Sequence, residues 1–203
     1  MTHRGSPAGD GLRRFGDAVV NQHEADALRR GITPRSDGGC ISVTPPYTFA
    51  SINAFTAARL VLFGLPLVPR DSVVDEVRVR VAAGAAGTVK VGLYAFRQRE
   101  RTFFQIAGSA ATLSSATAGV QIASLATPPR LVAHGFYFLA FLASSGVATF
   151  ATTASGAGVV AQLYMDGRTE MPSSAPLASF TRTSTAVYVP GVVYLSHMWK
   201  DIL

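Results

Sequence analysis

The stretch SVVDEVRVRVAAGAAGTVKVGLYAFR, Ser72–Arg97, decides the fold class. From Glu76 the residues alternate, with Val77, Val79 and Val81 on one side and Glu76, Arg78 and Arg80 on the other. A period of two sends successive side chains to opposite faces of a strand. After the small-residue stretch Ala82–Gly87 the alternation resumes. Val89, Val91, Leu93 and Ala95 share one face; Thr88, Lys90, Gly92, Tyr94 and Phe96 share the other. Two such runs around Ala/Gly residues predict an antiparallel hairpin, with Gly84 and Gly87 free to take positive φ. One of its faces is expected to be buried and the other mainly wet.

The rest of the chain extends that pattern. Further strands are expected at Arg59–Val68, Thr102–Ala107, Val120–Leu125, Phe136–Ala143, Val147–Ala151, Val159–Met165 and Ala186–Leu195, separated by VPRDS, TPPR, SSG, SGAG and MDG. Pro66 places the end of the first of these at an edge or bulge. About eight or nine strands punctuated by Gly, Pro and Ser predict an all-β protein, an antiparallel β-sandwich or jelly roll. A length of 203 residues suits one such domain, and 48% apolar with only 15% charged residues leaves Ser, Thr, Gly and Ala to form much of the surface.

Residues 1–40 differ. They carry arginine pairs at Arg13–Arg14 and Arg29–Arg30 and show no strand alternation. GDAVVNQHEADALRRG predicts one short helix, capped by Asp17 and ended by Gly31 after two arginines that suit its C-terminal dipole. Its apolar stripe is thin, so this part reads as an attachment arm that becomes ordered against a partner or remains loose. SDGGC, Ser36–Cys40, is the expected hinge into the sandwich at residues 41–196, and residues 197–203, with Trp199, form a tail.

Phe136–Ala143 is apolar on both faces: Phe136, Phe138, Ala140 and Leu142 alternate with Tyr137, Leu139 and Phe141. Such a strand lies between two layers, or a second subunit covers its outer face, and a homo-oligomer is expected on this ground. Phe136, Tyr137, Phe138, Leu139 and Phe141 are the residues of that oligomer or packing interface. Leu131–Ala151 has the length of a spanning helix without a full charge, but its turn residues and short apolar centre favour a buried strand. No membrane partner is expected.

Little points to catalysis. His3, His23, His134 and His197 form no HExxH or i, i+4 ligand pair, and Cys40 is the single cysteine. No GxSxG elbow and no phosphate loop occur. The domain's carboxylates, Asp71, Asp75, Glu76, Glu100, Asp166 and Glu170, are sparse. No enzyme, cofactor or metal site is expected. The net charge of +6 is scattered except at RQRER, where Arg97, Arg99 and Arg101 would share a face if the strand continued. Without a recognisable nucleic-acid module this favours a solvated hairpin end over a nucleic-acid contact. Tyr94 and Phe96, on the wet side of the hairpin, and Arg97, Arg99 and Arg101, at its end, are the candidate glycan-binding residues, with packing of the two rings under a neighbouring loop or subunit as the alternative.

The order AARLVLFGLPLVPRDSVVDEVRVRV, GTVKVGLYAFR, a Thr/Ser-rich middle, then LVAHGFYFLAFLAS, resembles a domain of tailed-bacteriophage virion proteins. Such domains are similar to jelly-roll carbohydrate-binding modules and occur in tail fibres, head fibres and spikes. Phe138 stands where that pattern commonly has Trp, and no sugar-platform residue carries over. The resemblance implies a virion protein assembled in a host cytoplasm, anchored to other virion proteins through residues 1–40, with cell-surface polysaccharide as a further partner. The alternative is a carbohydrate-binding module or carbohydrate-active enzyme domain.

Overall fold

The structure, a computed structural model, describes residues 32–35, 38–42, 51–65, 71–133, 135–144, 148–152, 162–182 and 191–196. The predicted helix, His3, His23, His134, His197 and Trp199 lie outside these residues. The strands, in chain order, begin with β1 (Ile32–Arg35), β2 (Gly38–Ser42), β3 (Ser51–Ala54), β4 (Leu60–Gly64), β5 (Ser72–Ala83) and β6 (Thr88–Arg97). Next come β7 (Thr102–Gln105), β8 (Ala111–Ser114), β9 (Gly119–Ser124), β10 (Arg130–Leu131) and β11 (Tyr137–Ala143). The last are β12 (Thr149–Thr152), β13 (Gln162–Met165), β14 (Ser174–Pro176), β15 (Thr181–Arg182) and β16 (Gly191–Ser196).

They form two antiparallel sheets. The first is centred on β5: Val73 pairs with Ser196 and Arg130, Val79 with Gly191 and Gln121, and Val81 with Phe150 and Gly119. One edge of β5 therefore runs along β9 and β10, the other along β16 and β12, with β2 and β1 beyond β16 and β3 beyond β12. The second sheet has the order β14-β7-β6-β11-β4-β13-β15, with β8 also beside β6.

The expected hairpin between β5 and β6 does not form. The two strands belong to different sheets, and Gly84–Gly87 carries the chain across the sandwich. The assignment of the two buried faces nonetheless holds. Val77, Val79 and Val81 meet Val89, Val91 and Leu93 in one core, so the two apolar stripes face each other across the layers. Burial of both stripes is satisfied equally by pairing or by arching over, and the period-two pattern does not distinguish them. The crossing is tight: a Cβ on Gly84 would stand 2.2 Å from the Ala116 carbonyl oxygen, and Gly87 takes φ 151°. Within β5 the buried set shifts from Ser72 and Val74 to Val77, Val79 and Val81. The register against β16 slips at the same place, passing from Glu76 to Val74, as a bulge at Asp75 requires.

The main core joins Phe63, Phe141 and Phe150 around Phe55, with the Phe55 and Phe141 centroids 4.9 Å apart. A second cluster lies on the outer side of the β6-bearing sheet, where Leu60, Leu62, Tyr94, Phe103, Ala140 and Leu142 are buried beneath Met171, Leu177 and Phe180. The chain from Asp166 to Phe180 thus straps its own sheet. β11 is apolar on both faces because it lies between two layers of this one chain, and that removes the reason for invoking a second subunit there.

Two further differences concern the N-terminal part. Residues 32–35 and 38–40, assigned to the arm and hinge, lie in a strand pair, β1 and β2, that joins the first sheet through β16. The sandwich therefore begins before residue 41. β3, β8, β10, β14 and β15 were also not expected; each spans four residues or fewer, too short to show a period.

Candidate functional site

β6 and β7 are joined by the turn Gln98–Arg101, closed by the Arg97↔Thr102 pair. Arg101 takes φ 49°, the left-handed conformation a four-residue hairpin loop uses to return the chain. Its N–H donates to the Gln98 carbonyl at 3.2 Å, and the Thr102 hydroxyl donates to the Glu100 carbonyl at 2.9 Å. Because residues 98–101 turn, Arg97, Arg99 and Arg101 do not share a strand face as the alternation implied. They fan from one tip instead.

All three arginines are exposed. Arg97 bonds Glu100 at 3.2 Å and lies over the Phe104 ring at 4.4 Å from its centroid. Arg99 and Arg101 have no carboxylate partner among the described residues. The tip carries three guanidinium groups against one carboxylate. Phe104 was missed in the sequence, although the period of two places it on the side of β7 that Arg97 occupies on β6.

Tyr94 leaves the candidate set. It is fully buried and donates its hydroxyl to the Pro172 carbonyl at 2.6 Å. Burial pushes its phenol well above the usual tyrosine range. Phe96 is half-buried, its ring 4.7 Å from Phe103 and 6.5 Å from Phe138. Neither is an open stacking platform, because the strap covers the face that alternation marked as wet.

The interface candidates divide in the same way. Leu139 and Phe141 are core residues, as is Tyr137, which accepts the Val132 N–H at 2.6 Å. Burial raises the Tyr137 phenol too. Phe138 lies edge-on to Phe103 at 5.0 Å. Only Phe136 is open, at 49% exposure. Its carbonyl accepts the Phe96 N–H at 2.8 Å, which sets it at the Arg97 end of β6. The structure thus sets the Phe136 backbone across from Phe96, at the end of β6 from which the Gln98–Arg101 turn leaves, and brings Arg97 together with Phe104.

Four of the described carboxylates besides Glu100 are engaged by cations rather than by one another. Asp71 accepts from Arg130, Glu76 from Arg78, Asp166 from Arg59 and Glu170 from Lys90. Asp71 also accepts the Ala133 N–H at 2.9 Å, and that bond, followed by the one from Arg130, holds it below the ordinary carboxylate range. Among the described residues no three His, Cys, Asp or Glu side chains gather as a metal site. No helix among them is long and apolar enough to cross a membrane, and Phe136–Ala143 lies almost wholly in β11.

No family model matches this sequence, and no curated protein matches it.

Proposed function

We propose that this chain is a non-enzymatic structural component of a tailed-bacteriophage virion, whose sandwich presents the Arg97–Arg101 turn to acidic polysaccharide on the host surface. The virion role is supported by the order of the four sequence pieces described above. The contact is supported by one observation: a turn of fixed geometry displays Arg99 and Arg101 without carboxylate partners among the described residues, next to Arg97 over the Phe104 ring. Guanidinium groups bind carboxylates and phosphates through parallel N–H donors, and an apolar ring beside them suits a sugar face. Attachment to the particle falls to residues 1–31, which precede β1.

The test is a glycan array of acidic and neutral polysaccharides with the wild-type chain and the Arg99→Ala/Arg101→Ala variant. Binding to acidic glycans that weakens with added salt and drops at least ~10-fold in the variant is expected, since two charge-assisted contacts are lost. Equal binding by the variant, or a preference for neutral glycans, overturns the assignment.

A further inference from the structure

We infer that a cavity between the start of the strap and the outer sheet face, bordering the second cluster at Leu142, binds a small carboxylate bearing a short aliphatic part. It has a volume of about 110 Å³ and is lined by Ala58, Thr88, Lys90, Leu142, Ala143, Ser144, Arg168 and Thr169. That is room for several water-sized groups.

The argument starts from the run Asp166-Gly167-Arg168-Thr169-Glu170. Both carboxylates reach away from the arginine between them. Asp166 takes Arg59 at 2.5 Å and Glu170 takes Lys90 at 2.5 Å. Arg168 is left with one side-chain contact, its Nε donating to the Met165 sulfur at 2.8 Å, and no carboxylate among the described residues. Most of a five-donor fork stays open. Hydroxyls converge on the same space. Ser144 Oγ accepts the Thr88 N–H at 2.8 Å and so keeps its own proton to donate. The Thr88 and Thr169 hydroxyls have no partner among the described residues. Lys90 gives two bonds, to Glu170 and to the Thr169 carbonyl at 3.0 Å, and adds positive field.

The backbone fixes this arrangement. Ala58 sits at φ 56°, a conformation that costs an alanine free energy and persists only where its surroundings hold it. Its N–H donates to the Ala143 carbonyl at 3.2 Å, and its carbonyl accepts the Arg168 N–H at 2.7 Å. The strained residue ties the Arg168 backbone to the end of β11. The remaining wall is Ala58, Leu142 and Ala143, which cannot donate to an oxygen. A phosphate or sulfate would turn an oxygen toward that wall, whereas a carboxylate with a methyl or methylene group matches both halves. The group is either a free small acid or an acidic residue of a saccharide.

Amide NMR titration of the full chain tests this, with propionate, a uronic-acid disaccharide, uncharged propionamide and inorganic phosphate as probes. Saturable shifts at the Thr88, Ser144 and Arg168 amides are expected with propionate and not with propionamide. Arg168→Gln should weaken binding at least ~10-fold, the equivalent of one charge-assisted contact, and Arg168→Lys should restore part of it. Tighter binding of the disaccharide identifies a saccharide source, and binding of propionate alone a free acid; both retain the carboxylate site. Propionamide or phosphate binding as well as propionate, no saturable shift, or an unaffected Arg168→Gln variant overturns it. The Arg99→Ala/Arg101→Ala variant should titrate like wild type, so failure here is separable from failure of the polysaccharide contact.

Discussion

Tyr94→Phe tests whether the strap is an integral part of the fold. The ring stays in place in the second cluster, and only the hydroxyl, which donates to the Pro172 carbonyl at 2.6 Å, is removed. A neutral hydrogen bond contributes about 1 kcal/mol net, and an orphaned buried partner costs up to ~3 kcal/mol. Pro172 is half-buried, so water can reach its carbonyl, and the lower figure applies. For a chain of this size the loss lowers Tm by about 2–4 °C. Hydrogen exchange supplies the local readout. The Gln105 amide donates to the Ser173 carbonyl at 2.9 Å and the Leu177 amide to the Arg101 carbonyl at 2.8 Å; both should lose protection before core amides do. The alkaline limb should change as well. Burial raises the folded-state phenol above its unfolded value of 10.0, so Tyr94 stabilises the fold fully below pH 10 and loses that contribution as pH rises further. The variant lacks this component. Unchanged Tm and unchanged protection at Gln105 and Leu177 would refute the latch.

Gly84→Ala puts a methyl 2.2 Å from one backbone atom and 2.7 Å from another, where no flexible side chain can give way, and should destabilise by about 1–3 kcal/mol in urea unfolding. A neutral substitution would mean that the crossing between sheets is looser than described. A carbon-detected NMR titration of Asp71 should give a midpoint below 3.8, and Arg130→Ala should raise it only partly, because the Ala133 N–H is the larger cause. With its folded value depressed, Asp71 contributes stability above its unfolded pKa and loses it as pH falls through the folded one. A wild-type midpoint at or above 3.8 would contradict the bond to Ala133.

The sandwich was legible because alternation reports burial. The two strands expected within Ser72–Arg97 appear as β5 and β6, and the one expected at Phe136–Ala143 appears as β11, within one residue at each end. What alternation omits is the partner. Val77 and Val91 would read the same as neighbours in one sheet or as opposed residues across two, and the structure chose the second. The wet face of β6 failed for a related reason. Tyr94 and Phe96 alternate with Val and Leu, but Met171, Leu177 and Phe180, about eighty residues later in the chain and without period, cover them. Position in a turn was the better guide, because RQRER is exposed whichever sheet its strands join.

That distinction bears on where the positive charge sits. The sequence has eighteen Lys and Arg against twelve Asp and Glu, a modest excess if spread evenly. Ion pairing makes it uneven. Arg59, Arg78, Lys90, Arg97 and Arg130 each hold a carboxylate, which leaves Arg80, Arg99, Arg101, Arg168 and Arg182 without one among the described residues whose side chains are placed. Two of the five crown one turn, and a third borders a cavity rimmed by hydroxyls. Exposed charges more than about 8–10 Å apart are screened from one another at physiological ionic strength, so a diffuse excess steers weakly, whereas adjacent unpaired guanidiniums act on the same ligand group. On this reading the two proposed anion contacts lie at the Gln98–Arg101 turn and beside Arg168, and the paired cations on the sheets contribute little to them.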